Sequence, residues 1–144
     1  MVFSMARPKY VLVDSNVWVA LYSENDTLHQ QAKTVIKDID ERGATIVTNF
    51  IVQEVFSVLS RVHGQAVALQ FYDFITRNRA VEVIDVNSHF LSQVIQLIQS
   101  RNLRKPLGLI DYSVIFFSAL LECPIASFDK QLTRSAKKLG VALW

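Results

Sequence analysis

The chain has 144 residues and 51% hydrophobic content, enough for one packed core, so a single domain over residues 1–144 is expected. Its longest apolar runs fall well short of the roughly 18 residues that a membrane-spanning helix needs. Its start carries no long apolar block of the secretory kind, and the expectation is a cytoplasmic protein without a membrane partner. The single cysteine, Cys123, excludes an internal disulfide and a thiolate zinc cage. The formal charge of +2 does not by itself mark a nucleic-acid binder, but its distribution is uneven. From Arg101 onward, Arg101, Arg104, Lys105, Lys130, Arg134, Lys137 and Lys138 stand against only Asp111, Glu122 and Asp129.

In chain order, Met1 to Lys9 reads as a lead-in. Tyr10 to Val13 is a short β-rich run that ends at Asp14, and Ser15 to Tyr22 follows as a helix with Ser15 as its cap. Leu28 to Arg42 has apolar residues at helical spacing and is followed by Gly43, where a helix stop is expected. Ala44 to Thr48 reads as a strand, Asn49 to His63 as an apolar helix stopped by Gly64, and Gln65 to Asn78 as an amphipathic helix. Val81 to Val86 is a third strand and Ser88 to Arg101 a helix, followed by a loop over Asn102 to Gly108 with Pro106. Ile110 to Glu122 is a helix that is apolar on nearly every side. Pro124 to Phe128 is strand-like, Lys130 to Leu139 a basic amphipathic helix and Val141 to Leu143 a last short strand. Strands alternating with helices predict a three-layer α/β/α fold on a mainly parallel sheet, with ligands taken beyond the carboxyl ends of the strands.

Four acids stand out against that frame. Asp14 directly follows VLV and Asp129 directly follows IASF, so both are expected at the same carboxyl edge of the sheet. Asp111 in LIDYSVIFFSALL and Glu54 in FIVQEVFSVL lie in helices that are otherwise almost wholly apolar. Ionised carboxylates beside a core cost several kcal/mol unless cations or donors compensate, and close acids repel one another. A hard divalent cation such as magnesium, which takes oxygen ligands, would compensate. Each acid also has a structural reading: Asp14, Asp111 and Asp129 as helix caps, and Glu54 as a partner of Arg61. What favours function is the combination of two acids after strands and two embedded in apolar helices.

The motifs YVLVDSNVWVAL, TNFIVQEVFSVLSR, LIDYSVIFFSALL and IASFDKQL, in this order, resemble the PIN-domain family, including the VapC-like toxin ribonucleases of bacterial toxin–antitoxin pairs. The likeness runs from about Tyr10 to Trp144. It implies that Asp14, Glu54, Asp111 and Asp129 form an acidic quartet that binds Mg2+ or Mn2+ and hydrolyses RNA to leave a 5′-phosphate. It also implies that Asn16 supports Asp14, that Thr48 and Ser127 donate hydrogen bonds behind the acids, that an antitoxin binds the domain, and that the domain forms a homodimer. The apolar Phe50 to Leu59 and amphipathic Gln65 to Asn78 segments are the candidate material for that interface. Ser113 stands two residues after Asp111, where some relatives carry a further acid.

Lys130, Arg134 and Lys137 recur at helical spacing just after Asp129 and are the candidate contacts for the RNA backbone, the alternative being a solvated helix face. His29, His63 and His89 are scattered without ligand spacing, and the four glycines form no phosphate-cradling loop, which disfavours zinc, dinucleotide and P-loop chemistry. Asn16 replaces the second Asp of a haloacid-dehalogenase-like motif. Two rivals to a toxin nuclease remain: a non-catalytic PIN-like module that binds RNA or protein, and an RNA-processing nuclease outside toxin–antitoxin systems.

Overall fold

A computed structural model describes residues 9–101 and 107–144. Met1 to Pro8 of the lead-in, and most of the Asn102 to Gly108 loop with Arg104 and Lys105, lie outside the described residues. The run KYVLV forms strand β1 (Lys9–Val13), in which Val11, Leu12 and Val13 are all fully buried. A strand buried on consecutive residues is covered on both faces, as parallel strands in α/β folds are. It pairs in parallel with β2 (Gly43–Thr48) on one side and β4 (Ile125–Ala126) on the other, and β2 pairs in parallel with β3 (Val81–Ile84). The sheet order is therefore β3-β2-β1-β4.

Two connections run outward from β1. The first carries α1 (Ser15–Leu21) and α2 (His29–Arg42) to β2, and the second carries α3 (Asn49–His63) and α4 (Gln65–Arg77) to β3. The third doubles back through α5 (Ser88–Ser100) and α6 (Leu109–Leu121) to β4, beyond β1, before α7 (Lys130–Lys138). Right-handed crossovers in opposite directions place their helices on opposite faces. The contacts agree, since α3 packs on α4 and α1 while α5 packs on α6. The expected three-layer α/β/α arrangement is what forms, with an all-parallel sheet among the described residues.

The layer of α1 to α4 is held by aromatic contacts. Trp18 is fully buried, with its ring 5.9 Å from Phe71 and 6.1 Å from Phe74, and its indole N–H donates to the Val13 carbonyl at 3.2 Å. In the other layer Phe90 of α5 meets Phe117 of α6 edge-on at 5.1 Å. Tyr112 is buried as well.

Four local expectations are corrected. Asp14, not Ser15, caps α1, accepting the Ser15 N–H. The strands expected over Pro124 to Phe128 and Val81 to Val86 end early because the amides beyond them, Phe128 and Val86, donate to the side chains of Asn16 and Asn49 instead of to a neighbouring strand. Val141 to Leu143 is no strand, since it touches the sheet by a single bridge from Leu143 to Ile125. No helix among the described residues is long and apolar enough to cross a membrane.

Trp18 joins α1 to the sheet and to α4, so Trp18→Ala should cost about 3–5 kcal/mol of unfolding free energy, read by urea denaturation. A loss below about 1 kcal/mol would show that the aromatic layer does not hold this half of the core.

Candidate active site at the carboxyl edge of the sheet

Strand order reverses between β1 and β4, and it is outside such a switch point that open α/β sheets bind ligands. Asp14 leaves β1 there. Its own N–H donates to the Ala126 carbonyl at 2.9 Å, so its backbone is still tied to β4 as the chain turns into α1. The carboxylate is 3% exposed and fully engaged. Oδ1 accepts the Ser15 N–H at 2.8 Å, while Oδ2 accepts the Ser127 hydroxyl at 2.8 Å and the Asn16 amide at 3.1 Å.

Asn16 and Ser127 also hold each other and the loop beyond β4. The Asn16 amide donates to Ser127 Oγ at 3.0 Å, its carbonyl accepts the Phe128 N–H at 2.9 Å, and Ser127 Oγ accepts the Asp129 N–H at 3.1 Å. Asp129 is set in turn as the cap of α7, accepting the Gln131 and Leu132 amides. Asp14 and Asp129 are thus fixed by one continuous network, and both are helix caps, as the structural reading of these two acids expected.

The other two acids arrive from opposite helix layers. Thr48, fully buried, caps α3 by accepting the Ile51 N–H at 3.2 Å, and so bears on Glu54 only through the helix it starts. Asp111 lies in the first turn of α6, whose cap residue Gly108 makes no side-chain cap bond. Among the described residues the side-chain ion pairs are Arg42 with Asp38 and Arg77 with Asp73, so Glu54 is not paired with Arg61 and none of the four acids has a cationic partner.

Electrostatics tie the four together. Burial, reinforced by the charges of Asp111 and Glu54, raises Asp14 from 3.8 to about 6 against the pull of its Ser127 and Ser15 hydrogen bonds. Burial first, then Asp129 and Glu54, raise Asp111, with the Gly108 amide opposing. Each acid therefore lies in the field of at least one other, and Asp111 and Glu54 link the strand-end pair to both helix layers.

An all-oxygen donor set with unbalanced negative charge fits a hard divalent cation. Among the described residues no three Asp, Glu, His or Cys side chains close on one point tightly enough to hold an ion alone. Magnesium can bind through one or two carboxylates, with water and phosphate completing the shell. The helix N-termini of α1 and α7 begin at the acids themselves, and their partial positive charge favours anions there. Lys130, Arg134 and Lys137 are all exposed on α7, beginning next to Asp129. A hollow of about 1190 Å³ lies elsewhere. It sits on the sheet face below α5 and α6, lined by Tyr10, Ile46, Ile84, Phe90, Phe117 and Trp144, and includes none of the four acids.

Sequence reading passed over Asp85, since it fell inside an expected strand. With β3 ending at Ile84, it becomes another post-strand acid at the same edge, accepting from Asn49 at 3.1 Å.

A carboxyl protonated more readily in the fold than in the unfolded chain costs stability as it ionises. For Asp14 the cost is absent well below pH 3.8, grows through the window up to about pH 6 and is then complete, at roughly 3 kcal/mol. Metal-free protein should therefore lose stability between pH 4 and about 6.5 in denaturant titrations. Asp14→Asn should remove most of that slope, and an unchanged slope would show that Asp14 is not the group responsible.

The PIN domain family model matches residues 11–138. Similar solved structures include Mycobacterium tuberculosis VapC20, described as a sarcin-ricin loop cleaving toxin, at TM-score 0.77 and 18% identity over 87% of this chain and 94% of that one. VapBC2 from Rickettsia felis, bound to a DNA fragment from its promoter, matches at TM-score 0.64 and 9% identity over 87% and 92%. FitAcB from Neisseria gonorrhoeae matches at TM-score 0.64 and 11% identity over 93% and 96%. At such identities these likenesses speak to the fold alone, and a search of curated proteins finds no match. With nearly nine-tenths of its length matched by the family model, the chain belongs to the PIN domain family.

Proposed function

We propose that the protein is a divalent-metal-dependent endoribonuclease, the toxin of a type II toxin–antitoxin pair. The observation that carries the reading is a set of four acids without cationic partners among the described residues, drawn from two adjacent strand ends and two opposite helix layers into one electrostatic field. Structure alone seldom needs such an arrangement, because each buried ionised carboxylate works against folding. Membership in the PIN family and the fold shared with VapC20 support RNA as substrate and a toxin role.

Asp14, Glu54, Asp111 and Asp129 would hold Mg2+ or Mn2+. When bound, the metal lowers the pKa of a coordinated water and offsets negative charge developing on the phosphate. The chain's own part is placement. Ser127 and Asn16 aim the Asp14 carboxylate and leave it little freedom to turn. The α7 N-terminus beside Asp129 favours an approaching phosphate, and Lys130, Arg134 and Lys137 line the approach to the site for the RNA backbone. An antitoxin would act by covering this edge.

Asp14→Asn and Asp111→Asn should each lower Mg2+-dependent cleavage of RNA by at least about a hundredfold while the domain stays folded, as followed by gel assay and circular dichroism. Full activity in either variant would reject the assignment. RNA bound but left intact by the wild type with Mg2+ or Mn2+ would instead favour the non-catalytic module. Growth arrest on expression, relieved by a neighbouring gene product, separates a toxin from an RNA-processing nuclease. Removing the charges of Lys130, Arg134 and Lys137 together in the Asp14→Asn background should flatten the log–log salt dependence of single-stranded RNA binding by about 2. An unchanged slope would assign those side chains to a solvated face.

A further inference from the structure

The side chain of Asn49 repeats, on the other side of the sheet centre, what Asn16 does at the switch point. Asn16 accepts the N–H of the second residue beyond β4, Phe128, and donates to the post-strand acid Asp14. Asn49 accepts the N–H of the second residue beyond β3, Val86, at 2.8 Å, and donates to the post-strand acid Asp85 at 3.1 Å. Val86 is buried, so its amide has little access to water and depends on that carbonyl.

Asn49 is also the first residue of α3, the helix that carries Glu54. The Thr48 cap fixes where this helix begins but lies within its own first turn. The Asn49 bonds reach a different element, the connection from β3 into α5, and so tie the first turn of α3 to it. Rotation matters here. A carboxylate on a helix of roughly 6 Å outer radius moves about 2 Å for a 20° turn, as far as a magnesium–oxygen bond is long.

We infer that Asn49, held by the Val86 amide and by Asp85, is a positioning residue that sets where Glu54 stands among the acids, with Asp85 serving as its hydrogen-bond acceptor and not as a further metal ligand. The inference rests on the nuclease reading for its consequence, but its geometry is independent of it. Asn49→Ala frees α3 to turn and leaves the Val86 N–H without its partner. Asp85→Asn keeps an oxygen that accepts from the Asn49 amide, whereas Asp85→Ala removes the acceptor.

The test uses the full chain, with thermal melts confirming that each variant is folded. Metal-free crystal structures of wild type and Asn49→Ala give the position of the Glu54 carboxylate, and water-proton relaxation gives the affinity for Mn2+. Asn49→Ala is expected to move the Glu54 carboxylate by about 1–2 Å relative to Asp14 and Asp111, and to weaken Mn2+ binding about tenfold, as loss of an outer support does. Asp85→Asn is expected to match wild type, and Asp85→Ala to bind Mn2+ about threefold more weakly. A Glu54 carboxylate that stays in place in folded Asn49→Ala, or an unchanged Mn2+ affinity, overturns the inference. An Asp85→Asn loss equal to that of Asp85→Ala also overturns it, since Asp85 would then act through its charge. If Asn49→Ala does not fold, wild-type affinity in Asp85→Ala decides against the proposal. A wild-type protein that neither binds Mn2+ nor cuts RNA removes the nuclease reading, and the Glu54 position in Asn49→Ala still decides whether Asn49 places it.

Discussion

The burial of one carboxylate at the end of the central strand organises this molecule. Asp14 is almost without solvent, and a charge so placed stays folded only if protein donors replace water. Three do so: a backbone amide of the helix it caps, a hydroxyl from the exit of the neighbouring strand, and an amide side chain that bridges both. Meeting that need pins β1 to β4 beyond their last ladder bond. It shortens β4 by turning the Phe128 amide towards Asn16, and it leaves Asp129 facing the same edge.

The donors do not balance the charge fully, which is why Asp14 remains at about 6. The site is a place where the fold tolerates instability: acids raised by burial and by one another, offset by hydroxyls, amides and helix ends. A divalent cation would lower that cost on binding, so metal affinity and native stability become linked through the same carboxylates. The aromatic and aliphatic layers on either face of the sheet supply the stability against which this cost is set.

Topology explains why residues so far apart in the chain meet. Connections that move outward from β1 and then double back past it place helices on both faces, and a helix following a parallel strand returns to the core from the carboxyl edge. The edge therefore collects two strand ends, the first turn of α6 and the second turn of α3. Side-chain clamps of the same design, Asn16 at one strand exit and Asn49 at another, hold the connections where backbone pairing has stopped.

Residue pattern alone determined the helices and most of the sheet, because buried parallel strands such as YVLV and apolar helices such as LIDYSVIFFSALL carry strong local periodicity. It also marked Asp14 and Asp129 as neighbours, since acids directly after strands share an edge in any parallel sheet. Tertiary structure decided the rest. Strand ends depended on side chains distant in sequence, as at Phe128 and Val86, whose amides were taken by Asn16 and Asn49. For the same reason Asp85 passed as a strand residue, and Val141 to Leu143 as a strand. Whether Glu54 would pair with Arg61 or join the other acids turned on how α3 is rotated against the sheet, and helical periodicity gives a face without saying what that face will meet.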